Sequence, residues 1–302
     1  MKTKLITLVL GLIGMMGYAQ QDSQYTQYMY NTISINPAYA GSREVLSIFG
    51  LYRTQWVGLD GAPETMTFSV NSPISDSSFG VGLSFVNDKI GPASESAISA
   101  DLSYYLQISD NYKLAFGVKG TANLFNIDVN KLRIENPDDP RFQNLDNDFT
   151  GNVGVGFYLY SDKFYAGLSI PYWLETNHYK DNSVSITKEK RHYYFITGYV
   201  FDVGSNLKIK PSILAKAAEG APFQGDASLN FLIYDKLTLG AAYRWDAAWS
   251  AMAGFQISNS LFAGYAYDME TTDLKNYNDG SHEIFLRWEL FNNSKMLTPR
   301  FF

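Results

Sequence analysis

The sequence predicts an all-β fold, a transmembrane antiparallel β-barrel of about 14 strands. Three observations carry this expectation. From Val45 onward the apolar residues recur at every second position, not every third or fourth. The connections between the resulting strands alternate in length by strand parity. Beyond Met16 no continuous apolar run is long enough for a membrane helix, so a membrane could be crossed only by strands.

The chain begins with Lys2 and Lys4, an apolar run over residues 5–16, and Gly17-Tyr18-Ala19. A charged start, a short apolar core and a small-x-small site read as a signal peptide cleaved after Ala19. The expected organisation is a signal peptide at 1–19, an N-terminal periplasmic or plug segment at 20–43, a barrel at 44–291 and a periplasmic tail at 292–302. Export and strand crossing together place the barrel in the outer membrane of a bacterium. An even strand number returns both termini to the periplasm.

Strands are expected at 45–57, 65–74, 78–88, 95–109, 112–128, 148–161, 164–176, 191–204, 207–219, 223–234, 237–246, 248–258, 260–270 and 281–290. The alternation is clearest between Ala97 and Ile108. Ile98, Ala100, Leu102, Tyr104, Leu106 and Ile108 share one face; Ser99, Asp101, Ser103, Tyr105 and Gln107 share the other. Leu114, Phe116, Val118, Ala122 and Leu124 then oppose Lys113, Lys119, Thr121 and Asn123. In the last strand Ile284, Leu286, Trp288 and Leu290 oppose Glu283, Phe285, Arg287 and Glu289.

One set of turns is tight and polar: Ser75-Asp76-Ser77, Ser109-Asp110-Asn111, Ser161-Asp162-Lys163, Gly204-Ser205-Asn206, Asp235-Lys236 and Ser258-Asn259-Ser260. The other includes long excursions at 129–147, 177–190 and 271–280, with a moderate loop at 58–64. Short inner turns and longer outer loops are the habit of outer-membrane barrels, and a soluble sandwich has no reason for it. The short connections near Gly220 and Asp246 depart from the pattern.

Tyr158, Tyr160, Phe164, Tyr165, Tyr172 and Trp173 cluster near strand ends and are expected in an interfacial girdle. Tyr105 and Tyr243 are expected to point inward, into a lumen at least partly filled. Asp101, Glu283, Arg287 and Glu289 are expected inward as well, because charge is costly on a lipid face. Arginine in place of Leu102 or Leu286 should therefore cost about 2–4 kcal/mol near the bilayer midplane, and less in place of Ser103.

Chemistry is sparse. With no cysteine there is no disulfide, thiolate metal site or cysteine nucleophile. His178, His192 and His282 have no partner at metal-binding spacing, and His282 and Glu283 point to opposite faces. Gly80-Val81-Gly82 and Gly151-Asn152-Val153-Gly154-Val155-Gly156 resemble nucleotide-binding loops in letters but lie within strands, where glycine eases close packing. The acidic stretch from Asp138-Asp139 to Asp146-Asn147-Asp148 lacks calcium-loop spacing. A net charge of −6 disfavours nucleic acid. No catalytic residue, cofactor or metal is expected; a hydrolase would need a partner for His178, and none stands out.

Residues 24–42 read QYTQYMYNTISINPAYAGS. Asn36-Pro37 ends an extended segment and Ala40-Gly41 permits a turn. Tyr25, Tyr28, Tyr30, Asn36, Pro37, Tyr39 and Gly41 are the candidate docking residues, because so many apolar anchors would be wasted on a free tail. They fit either the barrel lumen, as a plug, or a periplasmic partner. This stretch, with Tyr52-Arg53-Thr54-Gln55-Trp56, Pro63-Glu64-Thr65, Tyr265-Ala266-Tyr267-Asp268, Gly280-Ser281-His282-Glu283-Ile284-Phe285-Leu286-Arg287 and Pro299-Arg300-Phe301-Phe302, resembles the PorP/SprF family of type IX secretion membrane proteins. The resemblance implies an outer-membrane barrel of Bacteroidota-type bacteria. Its partners would be type IX secretion components, cargo with a C-terminal sorting domain such as a large gliding adhesin, and periplasmic machinery linked to the cell wall. The bottom-up alternative is a porin or transporter with residues 24–42 as a hatch, in contact with outer-membrane lipid in either case.

Overall fold

The computed structural model describes residues 25–131, 144–175 and 190–290. The expected signal peptide at 1–19, the expected tail at 292–302 and the centres of two long connections lie outside these residues. The wall is built from β1 (Leu46–Thr54), β2 (Glu64–Pro73), β3 (Phe79–Ile90), β4 (Ala93–Gln107), β5 (Lys113–Ile127), β6 (Leu145–Tyr160) and β7 (Phe164–Ile170). It continues with β8 (His192–Tyr199), β9 (Phe201–Asp202), β10 (Leu207–Ala218), β11 (Gln224–Ile233), β12 (Leu237–Arg244), β13 (Ala248–Gln256), β14 (Leu261–Glu270) and β15 (Ser281–Leu290). β9 resumes β8 after a break at Val200, so the fifteen segments make fourteen staves.

All pairings are antiparallel between neighbours in sequence, and β1 pairs with β15 from Leu46↔Leu290 to Thr54↔His282. That seam leaves no edge strand, so every wall backbone group can find a partner without water. Tight turns close one end: Tyr234 and Asp235, both at φ +52°, form the left-handed pair that a two-strand hairpin prefers. The long connections gather at the other end.

The two faces decide the solvent. Leu83, Ile98, Val118, Phe157 and Leu286 are 62%, 60%, 53%, 50% and 51% exposed on the outer face. Ser99, Asp101, Ser103, Lys119 and Thr121 are buried on the inner one. Polar inside and apolar outside inverts a soluble protein and fits a barrel in lipid. Asp101, Glu283, Arg287 and Glu289 all project inward, as the alternation requires.

Three expectations are corrected. Tyr158, Tyr160 and Tyr165 are not girdle residues but are buried in the lumen, with the Tyr158 ring 5.6 Å from Tyr160 and 6.0 Å from Tyr165. They share a strand face with Gly156 and Gly167, so parity sends them in; nearness to a strand end does not decide it. Tyr243 faces outward, its ring 4.5 Å from Trp249, because Ala242 and Arg244 take the inner positions beside it. Ser103 is no permissive lumen site. Its hydroxyl donates to the Ala40 carbonyl at 2.6 Å, so an arginine there collides with chain already filling the barrel.

Candidate functional site

That filling is residues 25–43. A string of turns from Tyr25 leads into α1 (Thr32–Ile35), a single helical turn where extended chain was expected, then a 3₁₀ turn at Pro37–Tyr39 and a bend at Gly41, φ +69°. The segment runs lengthwise inside the barrel. Its start lies level with the strand ends near the long connections, and it meets the short-turn end where β1 begins.

The wall accommodates it by omission. A Cβ on Gly80 would lie 2.3 Å from the Ala40 carbonyl oxygen, one on Gly117 2.2 Å from the Ala38 nitrogen, and one on Gly156 2.1 Å from Asn36 Oδ1. Gly80 and Gly117 therefore serve close approach of a second backbone, and Gly156 makes room for the Asn36 side chain. Gly117→Val should displace the segment at a cost of about 1–3 kcal/mol, as overpacking does. Limited proteolysis should then cut within residues 25–43 in the variant and spare them in the parent.

The wall also reads the segment's backbone. Lys119 Nζ, beside Asp101 at 3.4 Å, donates to the Ile33 carbonyl at 3.1 Å, and Ser169 donates to that of Ile35 at 2.6 Å. Asn36 accepts from the Ala38 N–H at 3.0 Å and donates to the Phe157 carbonyl at 3.0 Å, which fixes the turn against β6. Lower down, Arg43 pairs with Glu289 and Glu44 with Lys113. Tyr30 packs between Phe285 and Phe262 at 4.7 and 5.5 Å, with the Arg287 guanidinium 5.6 Å from its ring centre.

At the segment's leading end is a clamp. Arg53 reaches Asp268 at 2.7 Å, Glu283 at 3.2 Å and Thr26 Oγ1 at 2.8 Å. The Thr26 hydroxyl in turn donates to Asp268 at 2.5 Å. The two Glu283 oxygens accept the N–H groups of Thr26 and Gln27 at 3.0 and 2.9 Å. Beside it Arg244 pairs with Asp226 at 2.7 Å and donates to the Tyr25 carbonyl at 3.3 Å. Tyr25 itself shares a hydrogen bond with Thr67 at 2.9 Å. A carboxylate holding two successive backbone N–H groups, neutralised by a shared arginine, grips a chain by its backbone.

All seven predicted docking residues, Tyr25, Tyr28, Tyr30, Asn36, Pro37, Tyr39 and Gly41, are buried within the barrel. Asn36 is fully inaccessible, and the other six are buried against the wall. Of the two placements open to the segment, the lumen is the one occupied. Sequence reasoning put Lys119 on the polar face and read Gly80 and Gly156 as easing close packing without seeing what they meet, and it missed Ser169 and Gly117. It noted Arg53, Asp268 and Glu283 as motif letters without their common partner, Thr26.

Beside the segment, a cavity of about 50 Å³ is lined by Tyr25, Ser34, Lys119 and Tyr172, and another of about 20 Å³ by Asn123, Asn152 and Lys190. These hold a few waters at most. His192 is buried beside Tyr194, and His282 meets the Tyr265 hydroxyl at 2.6 Å on the outer face. His178 and Asp138-Asp139 lie outside the described residues. Among the described residues no three metal-ligating side chains come together.

A closed, lipid-facing wall around a polar, occupied interior defines an outer-membrane β-barrel protein. The family model for the type IX secretion system membrane protein PorP/SprF matches residues 17–288, and the chain belongs to that family. No curated protein matches the sequence. Among solved structures, the CymD monoaromatic hydrocarbon channel is 10% identical, with 92% of this chain and 96% of that one covered and a TM-score of 0.51. Omp33 of Acinetobacter baumannii is 10% identical over 83% of this chain and all of its own, with a TM-score of 0.49. A FadL homologue of Pseudomonas aeruginosa is 12% identical over 86% and 94%, with a TM-score of 0.46. The likeness to CymD is one of fold alone.

Proposed function

We propose that the protein is a sealed, non-catalytic barrel that serves type IX secretion through protein contacts at its rims, supporting export or surface anchoring of cargo with a C-terminal sorting domain, such as a large adhesin. Residues 1–19 act as the signal peptide, and periplasmic machinery meets the short-turn end. The observation that carries this reading is the occupied lumen: among the described residues, a chain segment tied to β1, β4, β5, β6, β7, β14 and β15 fills the space between the staves. A hatch-gated porin would need every one of those ties to break, so the interaction reading is preferred. Tagged protein purified from its native membrane should bring down secretion components or a surface adhesin. In planar bilayers the same preparation should give no porin-sized current steps; steady conductance with nothing co-purifying would reverse the preference.

A further inference from the structure

The direction in which the lumen segment lies has a topological meaning. Its contacts climb the wall in order. Glu44 and Arg43 pair with Lys113 and Glu289, which flank the short turns. Ala40 lies against Ser103, and Asn36 against β6 at Phe157. Ile33 meets Lys119, and Thr26 meets Glu283, the third residue of β15 counted from the long-connection end. The chain therefore enters from the short-turn end and points its leading end at the opposite one. The clamp at Arg53, Asp268 and Glu283 holds it one or two residues below the strand tips.

We infer that the mature amino end faces the outer side of the membrane while the chain leaves the last strand at the periplasmic side, so that this even-stranded barrel carries its ends on opposite sides. Strand parity constrains only where β1 begins and β15 ends; the lumen segment carries the chain back across. Because a leading end can be threaded through a closed ring, no wall strand has to part to admit it. The leader must be gone first, since its apolar run at residues 5–16 would have to travel past Lys119, Arg53 and Glu283. Cleavage after Ala19 leaves five residues ahead of Tyr25. Fully extended they span at most about 17 Å, enough to clear the few residues of wall above the clamp.

The inference rests on the outer-membrane reading with short turns inward, and one experiment separates the two. The chain has no cysteine, so single substitutions label cleanly. Ser23→Cys, Thr272→Cys in the β14–β15 connection and Ser205→Cys in the β9–β10 turn would be treated on intact cells with a membrane-impermeant maleimide, then again after permeabilisation. Thr272→Cys and Ser23→Cys should label on intact cells, and Ser205→Cys only after permeabilisation. Ser23→Cys labelling in step with Ser205→Cys, or only after denaturation, would overturn the outward end. Ser205→Cys labelling on intact cells while Thr272→Cys does not would instead overturn the barrel's orientation.

Discussion

Arg53→Ala should destabilise the folded barrel by about 3–5 kcal/mol, the range for removing one partner of a buried ion cluster. The alanine leaves Asp268 and Glu283 facing each other across the space the guanidinium filled at 2.7 and 3.2 Å. Thr26 and Gln27 still donate to the carboxylates, but like charge is no longer neutralised. Arg53→Lys should recover part of the loss, because a single ammonium cannot span both acids and the Thr26 hydroxyl as a planar fork does. The measurement is the temperature at which detergent-solubilised barrel loses its folded gel mobility, alongside protease access to residues 25–43. Arg53→Ala with parental unfolding temperature and an uncut segment would remove the clamp from the account.

The second large effect is on the opposite face. Leu286→Arg should cost about 2–4 kcal/mol, because the residue sits mid-strand on the lipid side, where an arginine near the midplane loses its hydration. Leu286 pairs with Gly50, which has no side chain, and Ala263, which has only a methyl group, so neither offers it cover. Its neighbour Arg287 points inward, 5.2 Å from the Phe262 ring, and is tolerated there. Refolding into lipid vesicles across a denaturant series should show the loss at Leu286 and little change for Leu286→Met. Equal stability of Leu286→Arg and the parent would mean that this face does not meet lipid.

The wall was legible because its information is local. A strand announces itself by alternation and a hairpin by its turn residues, so every predicted strand appears with its ends shifted by at most three residues, except that β7 stops at Ile170, six residues short of the expected end. Inward charge was legible for the same reason: Asp101 and Glu283 occupy the parity of their polar neighbours. The occupied lumen was not, because its contacts join positions far apart in the chain. Asn36 and Phe157 are 121 residues apart, and Gln27 and Glu283 are 256. No period links such pairs. The glycines at 80 and 156 did signal close packing, but a sequence cannot say what comes close. The inward tyrosines of β6 and β7 were readable from parity and were misplaced by attending to position along the strand.

β15 carries a final implication. Its inner face presents Glu283, Phe285, Arg287 and Glu289, and all four touch or neighbour residues of the lumen segment. The lumen segment thus completes its environment only when β15 has been made. A product cut short before residue 281 lacks the acids that neutralise Arg43 and, with Asp268, Arg53.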